Sequence, residues 1–329
     1  IRDVYKRQVL APWPNHEQEL DTEWIDDNSM PLPLRTRLSS LRVLTQWCCV
    51  QKNADLVPPV LKLLWILLGT GEVHHDQHIP LGVRARLRLY AAQCILKLAT
   101  YDAYASLILP RMGRLSYALQ DECFQVRMHL LHDLLLYLMR DELPSEFHAA
   151  MFLVAFDPED EPRVQVASYS RRLHVLPPVV RHERLERVIV RFLHLLAHHP
   201  DLNAESPQTL CSFSRYLEFY LACVACETNI GVLARFTACV RTYIDLSVSE
   251  PSVENSRSLY AMAELAQFLI QRMADHHGWT IYPVEEEAPC PKDILRSTGT
   301  IARSVLDGEV WELLQQQPRR HRDKKTKVA

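Results

Sequence analysis

Residues 118–138 read ALQDECFQVRMHLLHDLLLYL. From Cys123 onward the run has apolar side chains at helical spacing and neither proline nor glycine, so it predicts a helix with a wide buried stripe. Asp121 stands six residues before Arg127, and Arg127 falls beside Val126 on the apolar side of that helix. A guanidinium among leucines is tolerated only when it is hydrogen-bonded. The same spacing returns 36 residues later as Asp157 and Arg163. Upstream, Val83 and Arg84 precede Val126 and Arg127 by 43 residues, with His78 where the acid would stand. A period of about 36 to 43 residues is that of two-helix HEAT-type units. Such a hairpin cannot bury its own apolar face and is stable only against its neighbours. The expected fold is all-α, an α-solenoid of stacked HEAT-like helical hairpins, with Asp121 paired to Arg127 and Asp157 to Arg163 as structural repeat pairs.

Composition agrees with a helical array. The 329 residues are 48% hydrophobic and 23% charged, with only 8 glycines, too few for the turns of a sandwich or a doubly wound sheet. A net charge of −3 gives no reason for the whole chain to coat nucleic acid or an acidic membrane. The purest apolar run, LLWILL (63–68), is far short of a membrane span. The 9 cysteines sit mostly in helical runs without a disulfide framework, which points to a reducing compartment.

Helices are expected near 32–51, 55–69, 82–99, 103–119, 123–140, 145–156, 162–175, 182–199, 207–227, 230–247 and 255–277, with no strand-like alternation. Residues 1–23 are read as a non-native or disordered leader, because IRDVYKRQ resembles translated adaptor sequence and the chain opens on Ile1. The array is assigned to 24–279, and an acidic, proline-containing linker with a short terminal helix to 280–317. The basic tail 318–329 is either a solvated charge run or a nuclear-import or phosphate-contacting segment. The chain is expected to be a piece of something longer.

In the helix over 182–199, Leu185, Val188, Ile189, Phe192, Leu195 and Leu196 share one side. Arg184, Arg187, Arg191, His194 and His198 take the other, which is expected to be solvated. From Arg163 to Arg191, seven arginines face two glutamates, Glu183 and Glu186. Arg171, Arg172, Arg184, Arg187 and Arg191 are thus candidates for an anionic ligand or an acidic partner, against the plainer reading of a charged exposed face.

Metal and catalytic chemistry is weakly signalled. His194 and His198 are one turn apart like a zinc pair, but the intervening residues lack the glutamate of H-E-x-x-H, and Arg187 and Arg191 oppose a cation. CVAC (223–226) has no second pair at ligand spacing, and HHDQH (74–78) reads as a turn. There is no phosphate-binding glycine loop and no G-x-S-x-G elbow. No catalytic residue and no metal ligand is assigned. A metal-dependent hydrolase would need the 74–78 histidines or the cysteine pair to converge with further ligands.

Four strings in order, RLRLYAAQCILKLA (86–99), ALQDECFQVR (118–127), AFDPEDEPRVQ (155–165) and LHLLAHHPDLN (193–203), resemble the sister chromatid cohesion family called precocious dissociation of sisters. WIDDNSMPLPLRTRLSSLRVLTQW (24–47) and NSRSLYAMAELAQFLI (255–270) fit the same order, so the resemblance covers roughly 24–316. It implies a non-enzymatic HEAT-repeat scaffold in the nucleus that binds the kleisin subunit of cohesin. It further implies engagement of the release factor Wapl and the cohesin acetyltransferase, with chromatin reached indirectly through cohesin. Family members are linked to inositol hexakisphosphate, for which the arginine segment is the location the resemblance suggests. A generic solenoid adaptor of transport-receptor type would share the period but not these strings.

Overall fold

Helical periodicity becomes helix wherever an apolar stripe finds a neighbour. In a computed structural model the described residues are 2–11, 13, 22–51, 54–72 and 79–316. Its helices are α1 (Arg2–Val9), α2 (Leu32–Gln51), α3 (Val57–Thr70), α4 (Leu81–Ala99), α5 (Asp102–Ile108), α6 (Met112–Ser116) and α7 (Phe124–Met139), followed by α8 (Asp160–His174) and α9 (Pro178–Arg181). Then come α10 (Ile189–Ala197), α11 (Pro207–Val224), α12 (Ile230–Cys239), α13 (Arg257–His277) and α14 (Gly308–Gln316). The all-α expectation holds. Consecutive hairpins stack: α2 and α3 pack on α4, α4 on α7, and α10, α11 and α12 each pack on α13. Their buried faces merge into a single hydrophobic core.

Prolines and glycines set the boundaries. Pro58 and Pro59 occupy the first turn of α3, where no N–H is needed, and Gly71 closes that helix at φ 72. A Cβ on Gly71 would lie 2.5 Å from the Arg84 carbonyl oxygen, so the turn into α4 is fitted to glycine. The expected single helix over 103–119 is broken at Pro110, where a 3-10 turn (Leu109–Arg111) separates α5 from α6. The helix expected over 182–199 opens with a π turn (His182–Glu186) and becomes regular only at Ile189. Residues Ser145–Phe156 form a long 3-10 helix buried among α7, α8, α10 and α11.

Three expectations are corrected. The described residues of the leader are structured: α1 packs on α2 with Val9 buried, and the Arg37 guanidinium lies 5.0 Å from the Trp13 ring centroid. The helix expected over 230–247 ends early, and Tyr243–Asp245 is instead strand β1, paired antiparallel with β2 (Leu295–Ser297). Residues 280–316 are not a free linker, because they run back across the array as a belt. The Glu264 carboxylate accepts hydrogen bonds from the main-chain N–H of Val305 and Leu306, and Val310 and Leu314 of α14 are buried, with α14 lying against α11. A Cβ on Gly231 would meet the Tyr282 carbonyl oxygen at 2.6 Å, so the belt passes tight against the start of α12. The histidine cluster at 74–78 and the basic tail at 318–329 lie outside the described residues.

Candidate functional site

Arg127 is buried in the first turn of α7, but Asp121 is not its side-chain partner. The Asp121 carboxylate takes two hydrogen bonds from Arg88 on α4, at 2.6 and 2.8 Å. Arg127 instead donates through Nε to Asp157 of the next turn at 2.9 Å, and through Nη1 to the main-chain oxygen of Asp121 at 2.9 Å. Burial alone would lower the Arg127 pKa, but the Asp157 hydrogen bond and charge outweigh it and raise it. Arg163 likewise reaches the main-chain oxygen of Asp157 and pairs with Asp160. The repeated spacing is real, yet the acid of each turn serves the arginine of the preceding unit. Arg127 and Arg163 also each cover a carbonyl of their own turn. The ladder therefore ties unit to unit rather than closing each unit on itself.

Beside this ladder opens a cleft of about 420 Å³, with Asp121, Arg127, Asp157, Phe156, Phe213 and Tyr216 among its lining residues. The aromatic rings of Phe156 and Tyr216 lie 4.5 Å apart at its wall, and Gln120 holds the Tyr216 hydroxyl at 2.5 Å.

The arginine segment is not one free basic face. Arg191 is only 3% exposed and forks onto Asp293 of the belt at 2.8 and 2.7 Å. Arg184 pairs with Asp141 at 2.7 Å, and Arg187 with Glu183 at 3.1 Å and Glu286 at 3.5 Å. The belt thus brings acids onto the helix face that the spacing alone left to solvent. Arg171 and Arg172, at the end of α8, remain exposed, and among the described residues no acidic side chain pairs with either.

The same covering buries His194, whose ring is tilted against that of His198 with centroids 4.5 Å apart. Asp245 of β1 meets both: Oδ1 is 3.3 Å from His194 Nε2 and Oδ2 is 2.6 Å from His198 Nε2. Burial raises the Asp245 carboxyl, but hydrogen bonds from the two histidines outweigh it and hold it well below the usual carboxylate range. Burial pushes the His194 imidazole below its ordinary value despite that carboxylate. Asp245 escaped the sequence reading because it was placed inside a helix, about fifty residues from the histidines. The serine-rich run SVSEPS (247–252) was the available signal that the helix had already ended. Cys226 of the CVAC motif lies past the end of α11, with its sulfur 3.2 Å from the Thr228 hydroxyl. All 9 cysteines are free, and burial pushes the Cys94 thiol up to about 12.

The model of the family described as "Sister chromatid cohesion protein PDS5 protein" matches residues 2–296. Sister chromatid cohesion protein pds5 of Schizosaccharomyces pombe is 28% identical over 310 residues, covering 92% of this chain and 25% of that protein. Sister chromatid cohesion protein PDS5 of Saccharomyces cerevisiae is 22% identical over 355 residues, covering 94% and 28%. PDS5 homolog A of Danio rerio is 30% identical over 202 residues, covering 57% and 15%. The chain thus spans less than a third of the length of these relatives. Stacked helical hairpins joined by an arginine–aspartate ladder, together with a match over nearly the whole array, place it in one group: the chain belongs to the PDS5 family of sister chromatid cohesion proteins.

Proposed function

We propose that this chain is a non-enzymatic scaffold segment of a cohesin regulator, acting in the nucleus on chromosomes and binding the kleisin subunit of cohesin. The observation that carries the reading is the family match across residues 2–296, on an array whose buried ion pairs are consumed in joining one unit to the next. In the larger protein the release factor Wapl and the cohesin acetyltransferase would engage other surfaces of the same array. Chromatin is then reached through cohesin rather than by direct contact. Among the described residues no helix is long and apolar enough to cross a membrane. The aromatic cleft beside Asp157 is the surface we assign to a kleisin side chain, since half-buried Phe156 offers rigid apolar area beside hydrogen-bonding groups, over a floor made by the buried Phe213 and Tyr216.

Capture of a purified kleisin fragment by this chain tests the reading, with Ser212→Arg, at an exposed position lining the cleft, as the variant. Binding that Ser212→Arg weakens supports it, and no capture by the folded chain overturns it. For the polyanion, the exposed Arg171 and Arg172 are where inositol hexakisphosphate would meet unpaired guanidinium groups. Calorimetric titration of wild type against Arg171→Glu with Arg172→Glu reads that contact directly, and equal heats would remove it.

A further inference from the structure

The histidine pair of α10 carries chemistry that the scaffold does not use. His194 and His198 lie one helical turn apart, so both rings project from one face. Asp245 arrives from β1, and one ligating atom from each of the three lies within 4.8 Å of the others. Ligands of tetrahedral Zn²⁺ stand about 3.3 Å apart. The separation of His194 Nε2 from Asp245 Oδ1 is 3.3 Å, while His198 Nε2 at 2.6 Å from Oδ2 need only swing outward.

Outer hydrogen bonds fix the carboxylate as they do in metal sites. Asp245 Oδ1 accepts from the Ser247 N–H at 2.8 Å, and the Asp245 N–H donates to Ser256 Oγ at 3.0 Å. The strand that carries Asp245 is held by its ladder to β2. Ser247 Oγ, 3.1 Å from His194 Nε2, offers a fourth donor atom. His194, His198 and Ser247 also line a cavity of about 260 Å³ that gives an ion a route in and room for a water ligand.

The charge objection raised by the sequence is removed by the fold. The Arg191 guanidinium is neutralised by Asp293, and that of Arg187 by Glu183 and Glu286. Arg111 and Arg114 also line the cavity, but both are exposed. We propose that His194, His198 and Asp245 form a Zn²⁺ site that clamps β1 to α10, with Ser247 or water as the fourth ligand. Two imidazoles and one carboxylate form a donor set suited to this ion, and the buried strand makes it a structural clamp rather than a surface trap.

The test is Zn²⁺ titration of the chelator-treated full chain, followed by elemental analysis and melting temperature, with Co²⁺ as the spectroscopic probe. One equivalent should bind, raise the melting temperature, and give Co²⁺ the visible bands of a tetrahedral nitrogen–oxygen site. His198→Gln, at a half-exposed position that leaves the fold intact, should weaken binding at least tenfold. So should Asp245→Asn, provided its circular dichroism is that of wild type. A variant lacking the other candidate ligands, with His74, His75 and His78→Gln and Cys223 and Cys226→Ser, should still bind one equivalent. Uptake that survives His198→Gln but vanishes in that second variant overturns the proposal. So does the absence of bound zinc above buffer level in wild type.

Discussion

At the scale of the single residue, the buried arginines show how a charge is made harmless inside a helical stack. Removing Arg127 strands the Asp157 carboxylate, whose side chain is 1% exposed. Arg127→Ala should therefore cost about 3 kcal/mol in denaturant unfolding. Arg163→Ala loses a pair with an Asp160 side chain that is 90% exposed and a hydrogen bond to the Asp157 main-chain oxygen, and should cost about 1 kcal/mol. Equal costs for the two would contradict the ladder. His148 is one acid-sensitive residue. Its Nδ1 is 2.8 Å from the Ser145 carbonyl oxygen and its Nε2 is 3.1 Å from the Tyr169 hydroxyl. Burial pushes its pKa down to about 4; Arg184 lowers it further, whereas the Ser145 hydrogen bond and Asp141 act in the opposite sense. Below the ordinary histidine value the unfolded chain takes up a proton that the folded chain refuses, so stability falls as pH drops from about 6.5 towards 4, by about 3 kcal/mol in all. In His148→Gln that part of the pH dependence should vanish from melting curves.

At the scale of the element, the belt matters most, because it turns an apparently solvated face into a covered one. Glu264 of α13 anchors it, accepting from the N–H groups of Val305 and Leu306 and from the Ser304 hydroxyl. Glu264→Ala should speed amide hydrogen exchange at Val305 and Leu306 at least tenfold while α4 and α7 keep their protection. Uniform exchange would mean the belt is held elsewhere. Helix α13 was legible because its apolar period is strong and Gly278 closes it, and α2 because Pro31 and Pro33 mark its start. The ladder was legible as a spacing but not as a set of partners. Sequence spacing places Arg127 near the Asp121 turn, whereas only stacking shows that Asp157 is nearer to its guanidinium than the Asp121 carboxylate is. The belt and the Asp245 site were hidden for a related reason. YPVEEEAPCPKD has the composition of a solvated linker, and its acids acquire meaning only when Glu286 and Asp293 reach arginines about a hundred residues away.

At the scale of the whole molecule, the core runs unbroken from α1 to α14, so the belt is a structural member rather than an appendage. A chain ending at residue 279 would expose the surfaces now covered by Ile294, Leu295, Leu306, Val310 and Leu314, and would leave Arg191 without Asp293. Each of those side chains contributes roughly 1.5 to 3 kcal/mol when fully buried. The shortened chain should melt more than about 10 °C lower in scanning calorimetry, and an unchanged transition would mean the belt is dispensable. The 3-10 segment Ser145–Phe156 at the centre of the stack has a mechanical corollary. Its 12 residues advance about 2.0 Å each, against about 1.5 Å in an α-helix, and so reach about 6 Å farther than regular winding would. Tension along this segment meets a spring that is already drawn out, so stretch must be taken up by its neighbours. Compression can be absorbed here by rewinding, which would shorten the span between the helices fastened along it.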